Sequence, residues 1–275
     1  MKFLSSHGMK MPALGFGTWR LSGENCSNAV RAALKIGYRH IDTAQAYDNE
    51  TEVGYALADC GIVRENLFVT TKVWVDNAAP DDVISSTEES LRKLNLDYVN
   101  LLLLHWPSKT VPLAETLSAM LALLRAGKTQ AIGVSNFPVV LMRELVERFR
   151  LPIACNQVEY HALLSQEPVL SYARAHDIIV TAYSPLARAE LAKHPVLQQI
   201  GAKYGKTASQ IALRWLIDQP GVAIIPKAAD MQHIKANYDL FGFELAEDDR
   251  RKINALQGNH RIVNPAWAPE WDQVA

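Results

Sequence analysis

Four titratable side chains stand where apolar runs of the sequence end. Asp42 closes the run HID, Lys72 lies near the end of LFVTTKVW, and His105 closes YVNLLLLH. Tyr47 follows Asp42 in the loop DTAQAYDNE. Burying a lysine ammonium is costly unless it is paired, and Asp42 is the obvious partner for Lys72. A carboxylate, an ammonium, a phenol and an imidazole brought together can transfer protons to and from a bound molecule.

Each of these residues alone also has an ordinary structural interpretation. Asp42 can cap a helix or form a structural ion pair, and His105 can be a hydrogen-bonded core histidine. Tyr47 can be a simple loop aromatic. Their shared position at strand ends favours function, because catalytic groups of barrel enzymes lie at the carboxyl ends of the strands.

Eight short apolar runs alternate with longer amphipathic segments. Continuous apolar runs are typical of strands that are covered on both faces in a parallel sheet. The runs predict strands over 13–19, 40–42, 67–74, 98–105, 131–136, 155–160, 178–184 and 222–226. The segments between them predict helices over 27–36, 80–94, 113–125, 139–149, 168–176 and 207–217.

The alternation predicts an α/β fold, a (β/α)8 TIM barrel that forms one domain over residues 1–275. Residues 3–12 predict an N-terminal β-hairpin that closes the barrel bottom, and 245–256 predict an extra C-terminal helix. The Pro- and Trp-rich tail, 261–275, predicts a loop. A doubly wound sheet is the rival fold, but no GxGxxG follows the first strand.

The composition excludes several classes of protein. Hydrophobic residues make up 49% of the chain, the formal net charge is −1, and charges of both signs are interspersed. No overall field therefore attracts nucleic acid or a membrane surface. The three cysteines form no CxxC pair, which argues against a disulfide framework or a cysteine zinc site. We find no signal peptide and no membrane-spanning run, so a cytoplasmic location is expected.

Eight motifs extend over nearly the whole chain. They are GFGTWR (15–20), GYRHIDTAQAYDNE (37–50), TTKVW (70–74), LLLLHWP (101–107), GVSNF (133–137), NQVEYH (156–161), AYSPLA (182–187) and IPKA (225–228). In this combination and spacing the sequence resembles the aldo-keto reductase family. The closing APEWD (268–272) and the short loops resemble most the bacterial branch that contains 2,5-diketo-D-gluconate reductases.

The resemblance implies reduction of aldehydes and ketones to alcohols by hydride transfer from NADPH. It assigns a catalytic tetrad of Asp42, Tyr47, Lys72 and His105. Tyr47 would protonate the developing alkoxide as general acid. A lysine cation about 4 Å away contributes roughly 4 kcal/mol at an effective dielectric near 20, or about three pKa units. Lys72 is therefore expected to bring the pKa of Tyr47 towards neutrality, with desolvation opposing part of the shift.

The other two members of the tetrad would support this proton transfer. Asp42 would keep Lys72 charged and correctly aimed. His105 would hydrogen-bond the substrate carbonyl and orient it.

The resemblance also implies a nicotinamide site without a Rossmann fingerprint. Ser135, Asn136 and Gln157 would hydrogen-bond the carboxamide, although Ser and Asn also favour helix caps. Tyr183 would stack on the ring, and Ser184 and the backbone around Leu186 would hold the pyrophosphate. The complete set expected to contact the cofactor is Thr18, Trp19, Ser135, Asn136, Gln157, Tyr183, Ser184, Leu186, Lys227, His233 and Asn237.

The adenosine end departs from the family pattern. In IPKAADMQHIKAN (225–237), Lys227 and Asn237 match, but Ala228, His233 and Ala236 replace the usual Ser or Thr, Arg and Glu. Arginine can grip a 2′-phosphate with two parallel hydrogen bonds, whereas histidine is a weaker, pH-dependent substitute. NADPH is therefore expected to be preferred less strongly than is usual, with measurable use of NADH.

A further set of residues matches positions that line the family's carbonyl pocket: Trp19, Ala46, Trp74, Trp106 and Ser108. Each tryptophan alone would suit a core equally well. The tail segment 264–271 is expected to close one side, and Arg261 or His260 could meet a carboxylate or stay solvated. A mostly uncharged aromatic wall suits small aldehydes, dicarbonyls or keto sugars such as 2,5-diketo-D-gluconate, and it does not exclude bulkier ketones.

Two other functions stay open at this point. His40 and Asp42 share a strand face, as ligands of a barrel metallohydrolase can, but no further ligand cluster appears and no metal site is predicted. The second open function is an NADPH-binding redox sensor with little turnover. The intact tetrad argues against it. The expected partner is a small-molecule carbonyl substrate, with no nucleic acid or membrane partner, and a monomer is expected.

Overall fold

A barrel of eight parallel strands forms the centre of the computed structural model, which describes residues 2–273. An antiparallel hairpin of β1 (Phe3–Ser6) and β2 (Met9–Pro12) precedes it. The barrel strands are β3 (Phe16–Gly17), β4 (His40–Asp42), β5 (Phe68–Val73), β6 (Leu101–Leu104), β7 (Ile132–Ser135), β8 (Ile153–Glu159), β9 (Ile179–Tyr183) and β10 (Val222–Ile224). They are adjacent in chain order, and all eight predicted strands are confirmed.

The barrel closes between its first and last strands. Leu14 forms a parallel bridge with Ile224, and the N–H of Gly15 donates to the carbonyl of Ile224 at 2.8 Å. A Cβ on Gly17 would lie 2.7 Å from the carbonyl oxygen of Ile225, so this closure requires a glycine. The (β/α)8 fold class is confirmed.

The four leucines of β6 are buried on two opposite faces. Leu101 and Leu103 point into the barrel, where Met9 and Met11 of the hairpin join their cluster. Leu102 and Leu104 belong to the larger cluster beneath the surrounding helices. A strand covered on both faces needs apolar residues at every position, which explains the run LLLL. The hairpin closes the barrel bottom, as predicted.

Ten α-helices surround the strands in the described part of the chain. They are α1 (Gly23–Ile36), α2 (Glu50–Ala58), α3 (Pro80–Leu94), α4 (Leu113–Arg125), α5 (Val139–Arg143), α6 (Glu167–Ala175), α7 (Pro195–Tyr204), α8 (Ala208–Asp218), α9 (Met231–Tyr238) and α10 (Glu247–Asn254). Helices α3 and α4 have the predicted bounds, and α10 is the predicted extra helix. No helix within residues 2–273 is long and apolar enough to cross a membrane.

The helix prediction is wrong at a few places. Helices α2, α7 and α9 lie outside the predicted helical segments, because their amphipathic patterns are weaker than those of the equally short helices α6 and α10, which were predicted. The segment 139–149 is not one α-helix, because α5 continues as a π-helical turn, Glu144–Arg148. There the N–H of Phe149 bonds the carbonyl of Glu144, five residues back.

Candidate active site

The four titratable residues meet at the carboxyl end of the barrel. Asp42 ends β4, Lys72 lies in β5, and His105 follows β6. Tyr47 is carried by a short 3₁₀ turn, Gln45–Tyr47, that follows β4. A cavity of about 610 Å³ opens at this end of the barrel, within the usual range for small-molecule sites.

Lys72 forms the centre of a buried hydrogen-bond network. Its ammonium donates to Asp42 Oδ1 at 2.6 Å, to the carbonyl of Thr43 at 2.8 Å and to the Tyr47 hydroxyl at 3.3 Å. Both side chains of the Lys72–Asp42 pair are almost completely buried. The other carboxylate oxygen of Asp42 accepts from Gln157 Nε2 at 2.7 Å. All three ammonium protons thus have acceptors, which offsets the cost of burying the pair.

The pKa of Tyr47 shifts opposite to the expectation. Burial raises it above 10, and the nearby Lys72 charge offsets only part of this rise. The expected shift towards neutrality is wrong for this environment, because phenolate desolvation outweighs the lysine. Burial would lower the pKa of Lys72, but Asp42 and Tyr47 outweigh burial and raise it. At neutral pH the site therefore holds a protonated phenol beside a charged ammonium.

His105 borders the cavity with an imidazole that is held neutral. Burial, followed by the Lys72 charge, places its pKa well below 6.5. Its Nδ1 is buried without a hydrogen-bond partner among residues 2–273. Because an orphaned N–H is rarer than an orphaned acceptor, we assign the proton to Nε2. Edge-on contacts with Tyr47 and Trp74, with ring centres 5.7 and 5.3 Å away, fix the ring.

A second hydrogen-bonded group lies beside the tetrad on β7, β8 and β9. The Tyr183 hydroxyl donates to Asn136 Oδ1 at 2.7 Å, and Asn136 Nδ2 donates to the carbonyl of His105 at 3.0 Å. Ser135 Oγ donates to the carbonyl of Gln157 at 2.8 Å. Asn136 has φ of 65°, a strained conformation that these bonds hold in place.

Most residues predicted from the sequence do border this cavity. Those that line it are Thr18, Trp19, Asp42, Ala46, Tyr47, Trp74, His105, Trp106, Asn136, Gln157, Tyr183, Ser184, Leu186 and Lys227. The predicted residues that do not line it are Lys72, Ser108, Ser135, His233 and Asn237. Lys72 and Ser135 are buried and bonded to residues that do line the cavity. Ser108 Oγ instead accepts from the backbone N–H groups of Thr110 and Val111 in its own turn.

Two arginines at the cavity mouth were missed by sequence reasoning. The guanidinium carbons of Arg20 and Arg188 lie 4.3 and 5.4 Å from the ring centre of Trp19, and both arginines line the cavity. Arg188 belongs to the segment after β9, where Ser184 and Ala187 also have positive φ. Within residues 2–273, Arg20, Arg188 and Lys227 form no ion pair. The motifs GFGTWR, AYSPLA and IPKA pointed near this cluster, but the sequence analysis assigned no role to either arginine.

The C-terminal tail borders the cavity through Val263, and its Trp267 packs against two tryptophans that line the cavity. The ring centre of Trp267 lies 5.9 Å from that of Trp74 and 4.8 Å from that of Trp106, both edge-on. Arg261 stacks on Trp271 at 3.9 Å. His260 instead bonds the exposed Glu190 at 2.8 Å. Neither His260 nor Arg261 borders the cavity, so the structure does not bring them to a substrate carboxylate.

Comparison with known proteins identifies the family. The profile of the Aldo/keto reductase family matches residues 13–257. The chain belongs to this family. A methylglyoxal reductase, DkgB, of Escherichia coli O157:H7 is 40% identical, and the match covers 96% of this chain and all of that protein. A glyoxal reductase of Bacillus subtilis (strain 168) is also 40% identical, over 93% of this chain and 92% of the relative.

Solved structures agree with the barrel and with the family. A protein provisionally named 2,5-diketo-D-gluconic acid reductase B superposes with a TM-score of 0.97 at 46% identity, covering 99% of this chain and 98% of that one. An aldo-keto reductase of Bombyx mori, solved in complex with NADP, gives a TM-score of 0.90 at 34% identity, covering 96% and 95%. This aldo-keto reductase is thus an NAD(P)H-dependent oxidoreductase that acts on carbonyl groups.

The region that departs from the family pattern lies at the start of α9. Asp230 caps this helix, and its carboxylate accepts from the backbone N–H groups of Gln232 and His233. The His233 side chain is 79% exposed, and its Nδ1 lies 3.6 Å from the same carboxylate. Asp230 was missed by sequence reasoning, although an aspartate before a helix is a readable capping signal.

The HxD pair considered as metal ligands is occupied by protein contacts. His40 Nδ1 lies 3.3 Å from the carbonyl of Pro12, and Nε2 lies 3.1 Å from Thr70 Oγ1. Both carboxylate oxygens of Asp42 are bonded to Lys72 and Gln157. No cluster of three or more potential metal ligands occurs within the described residues. These contacts assign His40 to the barrel core.

Proposed function

We propose that this aldo-keto reductase reduces small dicarbonyls and other aldehydes and ketones with NADPH, using Tyr47 as general acid. The observation that carries the proposal is the Tyr47 hydroxyl, bordering the cavity 3.3 Å from a fully buried ammonium. A phenol that stays protonated at neutral pH can give up its proton when an alkoxide develops beside it. Lys72 then stabilises the phenolate that is left.

His105 completes the carbonyl site. A neutral imidazole protonated on Nε2 donates a hydrogen bond to a carbonyl oxygen without delivering a full charge. Tyr47 and His105 are in edge contact, so one oxygen can receive both donors. Asp42 and Thr43 hold Lys72 against Tyr47 throughout. NADPH, when bound, supplies the hydride.

The cavity wall provides complementary groups for a dinucleotide. Asn136 and Gln157 carry amides that match a carboxamide, and the Tyr183 ring offers a face for stacking. Arg20, Arg188 and Lys227 place positive charge at the mouth, where phosphates would lie. Because an exposed histidine stands where the family has arginine, we propose preference for NADPH with measurable use of NADH. The NADP complex of the Bombyx mori relative supports NADPH as the primary cofactor.

The proposed substrates come from the relatives and the pocket. Two relatives at 40% identity are named for methylglyoxal and glyoxal, and the solved structure at 46% identity is named for a diketo sugar acid. Trp74 and Trp106 give the pocket an aromatic, uncharged part of its wall, and Trp267 packs against both of them. We therefore place small dicarbonyls first, keto sugars such as 2,5-diketo-D-gluconate second and bulky ketones last.

We further propose that the chain acts as a monomer and one domain, in the cytoplasm, without a nucleic-acid partner. The net charge of −1 and the interspersed charges support the last of these statements. One barrel with a continuous core supports the assignment of a single domain.

A carbonyl panel tests the proposed function. Oxidation of NADPH, with NADH in parallel, is followed with methylglyoxal, an aromatic aldehyde, 2,5-diketo-D-gluconate and a bulky cyclic ketone. Turnover that is highest with methylglyoxal and faster with NADPH supports the proposal. Tight NADPH binding without turnover on any of the four would instead support a redox sensor.

A further inference from the structure

Glu159 is a fully buried carboxylate that takes no part in the proposed reaction. It ends β8, two residues after Gln157, which lines the cavity. Its oxygens accept from the N–H groups of Ile262 and Val263 at 2.7 and 2.8 Å and contact His161 Nε2 at 3.0 Å. A completely buried charge with three partners is costly to assemble, so its role requires an explanation.

The two backbone partners of Glu159 begin a segment that forms the substrate side of the cavity. We call residues 262–272 the C-terminal strap. Val263 lines the cavity, and Trp267 packs against Trp74 and Trp106. The strap contains no helix or strand, so its position depends on contacts with the barrel.

Both ends of the strap are fastened by carboxylates. At the start, Glu159 accepts the two N–H groups. At the end, Asp272 accepts the N–H of Val139, with its two oxygens at 3.0 and 3.2 Å, where α5 begins. Arg261, just before the strap, stacks on Trp271 near its end. The buried anchor at Glu159 lies nearer to the cavity than the partly buried one at Asp272, because Val263 itself lines the cavity.

The chemistry at this position requires a carboxylate. Ile262 and Val263 present two successive N–H donors, and the ionised side chain offers an acceptor oxygen to each. Glutamine would offer one oxygen and turn its amide donors towards the second N–H. Burial would raise the pKa of Glu159, but the hydrogen bonds from His161 and the strap outweigh burial and lower it. The group is therefore ionised at neutral pH.

We propose that Glu159 is a positioning residue that holds the C-terminal strap over the substrate pocket and thereby sets selectivity among carbonyl substrates. This inference rests on the proposed carbonyl reduction. The hydrogen-bonded groups facing the cofactor lie on β7, β8 and β9, not on the strap. Loosening the strap withdraws Val263 from the cavity and removes the support that Trp267 gives to Trp74 and Trp106. The cofactor groups then stay in place, small substrates lose contacts and larger ketones are admitted.

The test compares wild type with Glu159→Gln on methylglyoxal and on a bulky cyclic ketone. Losing a charged acceptor bond is expected to raise KM for methylglyoxal about tenfold, with kcat and the Kd for NADPH changed about twofold or less. The ratio of kcat/KM for methylglyoxal to kcat/KM for the bulky ketone then falls by about the same factor of ten. Amide hydrogen exchange in a peptide covering 260–273 is expected to accelerate, independently of turnover.

Two further variants separate positioning from general damage. Asp249→Asn removes another buried carboxylate. Asp249 lies in α10 and accepts hydrogen bonds from Lys203 and Tyr204 of α7, so its loss is expected to lower stability without changing the substrate ratio. Trp267→Ala is expected to lower the same ratio, and its effect is not expected to add to that of Glu159→Gln, because both act through the strap.

Several results would overturn the inference. An equal loss on both substrates, a weakened NADPH complex, additive effects with Trp267→Ala or unchanged exchange in 260–273 each contradict it. If Glu159→Gln does not fold, Glu159→Asp keeps two acceptors on a shorter stem and is expected to shift the ratio less, in the same direction. A substrate ratio that does not change in Glu159→Asp contradicts the inference too. Absence of wild-type turnover contradicts the proposed function instead.

Discussion

Lys72 lies at the centre of the candidate active site and has no contact with solvent. Lys72 donates to Asp42, Thr43 and Tyr47 at once. The pairing of β4 with β5 positions Asp42 and Lys72, and the 3₁₀ turn after β4 brings in Tyr47. The ammonium does not lower the pKa of Tyr47 below its ordinary value, because burial dominates. In the proposed mechanism, its contribution is to stabilise the phenolate of Tyr47 once the proton has left.

The buried pair leads to a prediction about stability. Lys72→Met leaves Asp42 as an unpaired buried charge and is expected to lower the free energy of unfolding by about 3–5 kcal/mol. The double variant Asp42→Asn with Lys72→Met removes that charge and is expected to recover most of the stability but no reductase activity. Urea denaturation measures both. A double variant as unstable as the single one would show that the charge is not the cause.

The neutral state of His105 leads to a prediction about pH. Since its pKa lies well below 6.5, the imidazole stays uncharged through the neutral range, and kcat/KM is expected to show no step near 6.5 from this group. His105→Ala is expected to affect substrates of different shape unequally, because the ring orients the carbonyl. A pH–rate profile with a step near 6.5 that disappears in His105→Ala would contradict the neutral assignment.

The strands that position these residues could be predicted from the sequence more completely than the helices. All eight strands could be read from the sequence, because burial on both faces requires continuous apolar runs such as LLLL in β6. Helices α2 and α9 could not, since their amphipathic patterns are weaker than those of α6 and α10, which are equally short. The strap could be placed near the pocket from its tryptophans, but the pairing of Glu159 with Ile262 joins positions too far apart to read locally.

Helix α9 carries the prediction about cofactor choice. His233→Arg puts a permanent positive charge in the first turn of α9, and we expect the ratio of kcat/KM for NADPH over NADH to rise about tenfold or more. Gln232→Arg adds the same charge one residue earlier and serves as the control, with little expected effect. Steady-state rates with both cofactors give the ratio. If His233→Arg leaves the ratio unchanged, His233 does not face the 2′-phosphate.

Over the whole molecule positive and negative charges nearly balance, but at the cavity mouth positive charge is in excess. The chain has a net charge of −1, yet Arg20, Arg188 and Lys227 at the mouth have no carboxylate partner among the described residues. Net charge read from the sequence therefore did not reveal this local field. The direction of the Tyr47 pKa shift also could not be read from the sequence, because burial is a property of the folded barrel and not of the motif.

The cations at the mouth lead to a prediction about salt. Binding of NADPH is expected to weaken steadily as salt rises, and more steeply than binding of NADH, because NADPH carries one phosphate more. Titrations monitored by tryptophan fluorescence over a range of NaCl concentrations give both slopes. Arg188→Gln is expected to flatten both slopes by a similar amount. Equal slopes for the two cofactors in wild type would mean that no cation contacts the 2′-phosphate.

The most direct test of the central claim is the rate of NADPH oxidation with methylglyoxal in wild type and in Tyr47→Phe, with NADPH affinity measured in the same samples. Phenylalanine keeps the ring beside His105 and removes only the proton donor. We expect the rate to fall by about 10²–10⁴-fold while NADPH binds nearly as before. A Tyr47→Phe enzyme that keeps most of the wild-type rate would contradict the assignment of Tyr47 as the general acid.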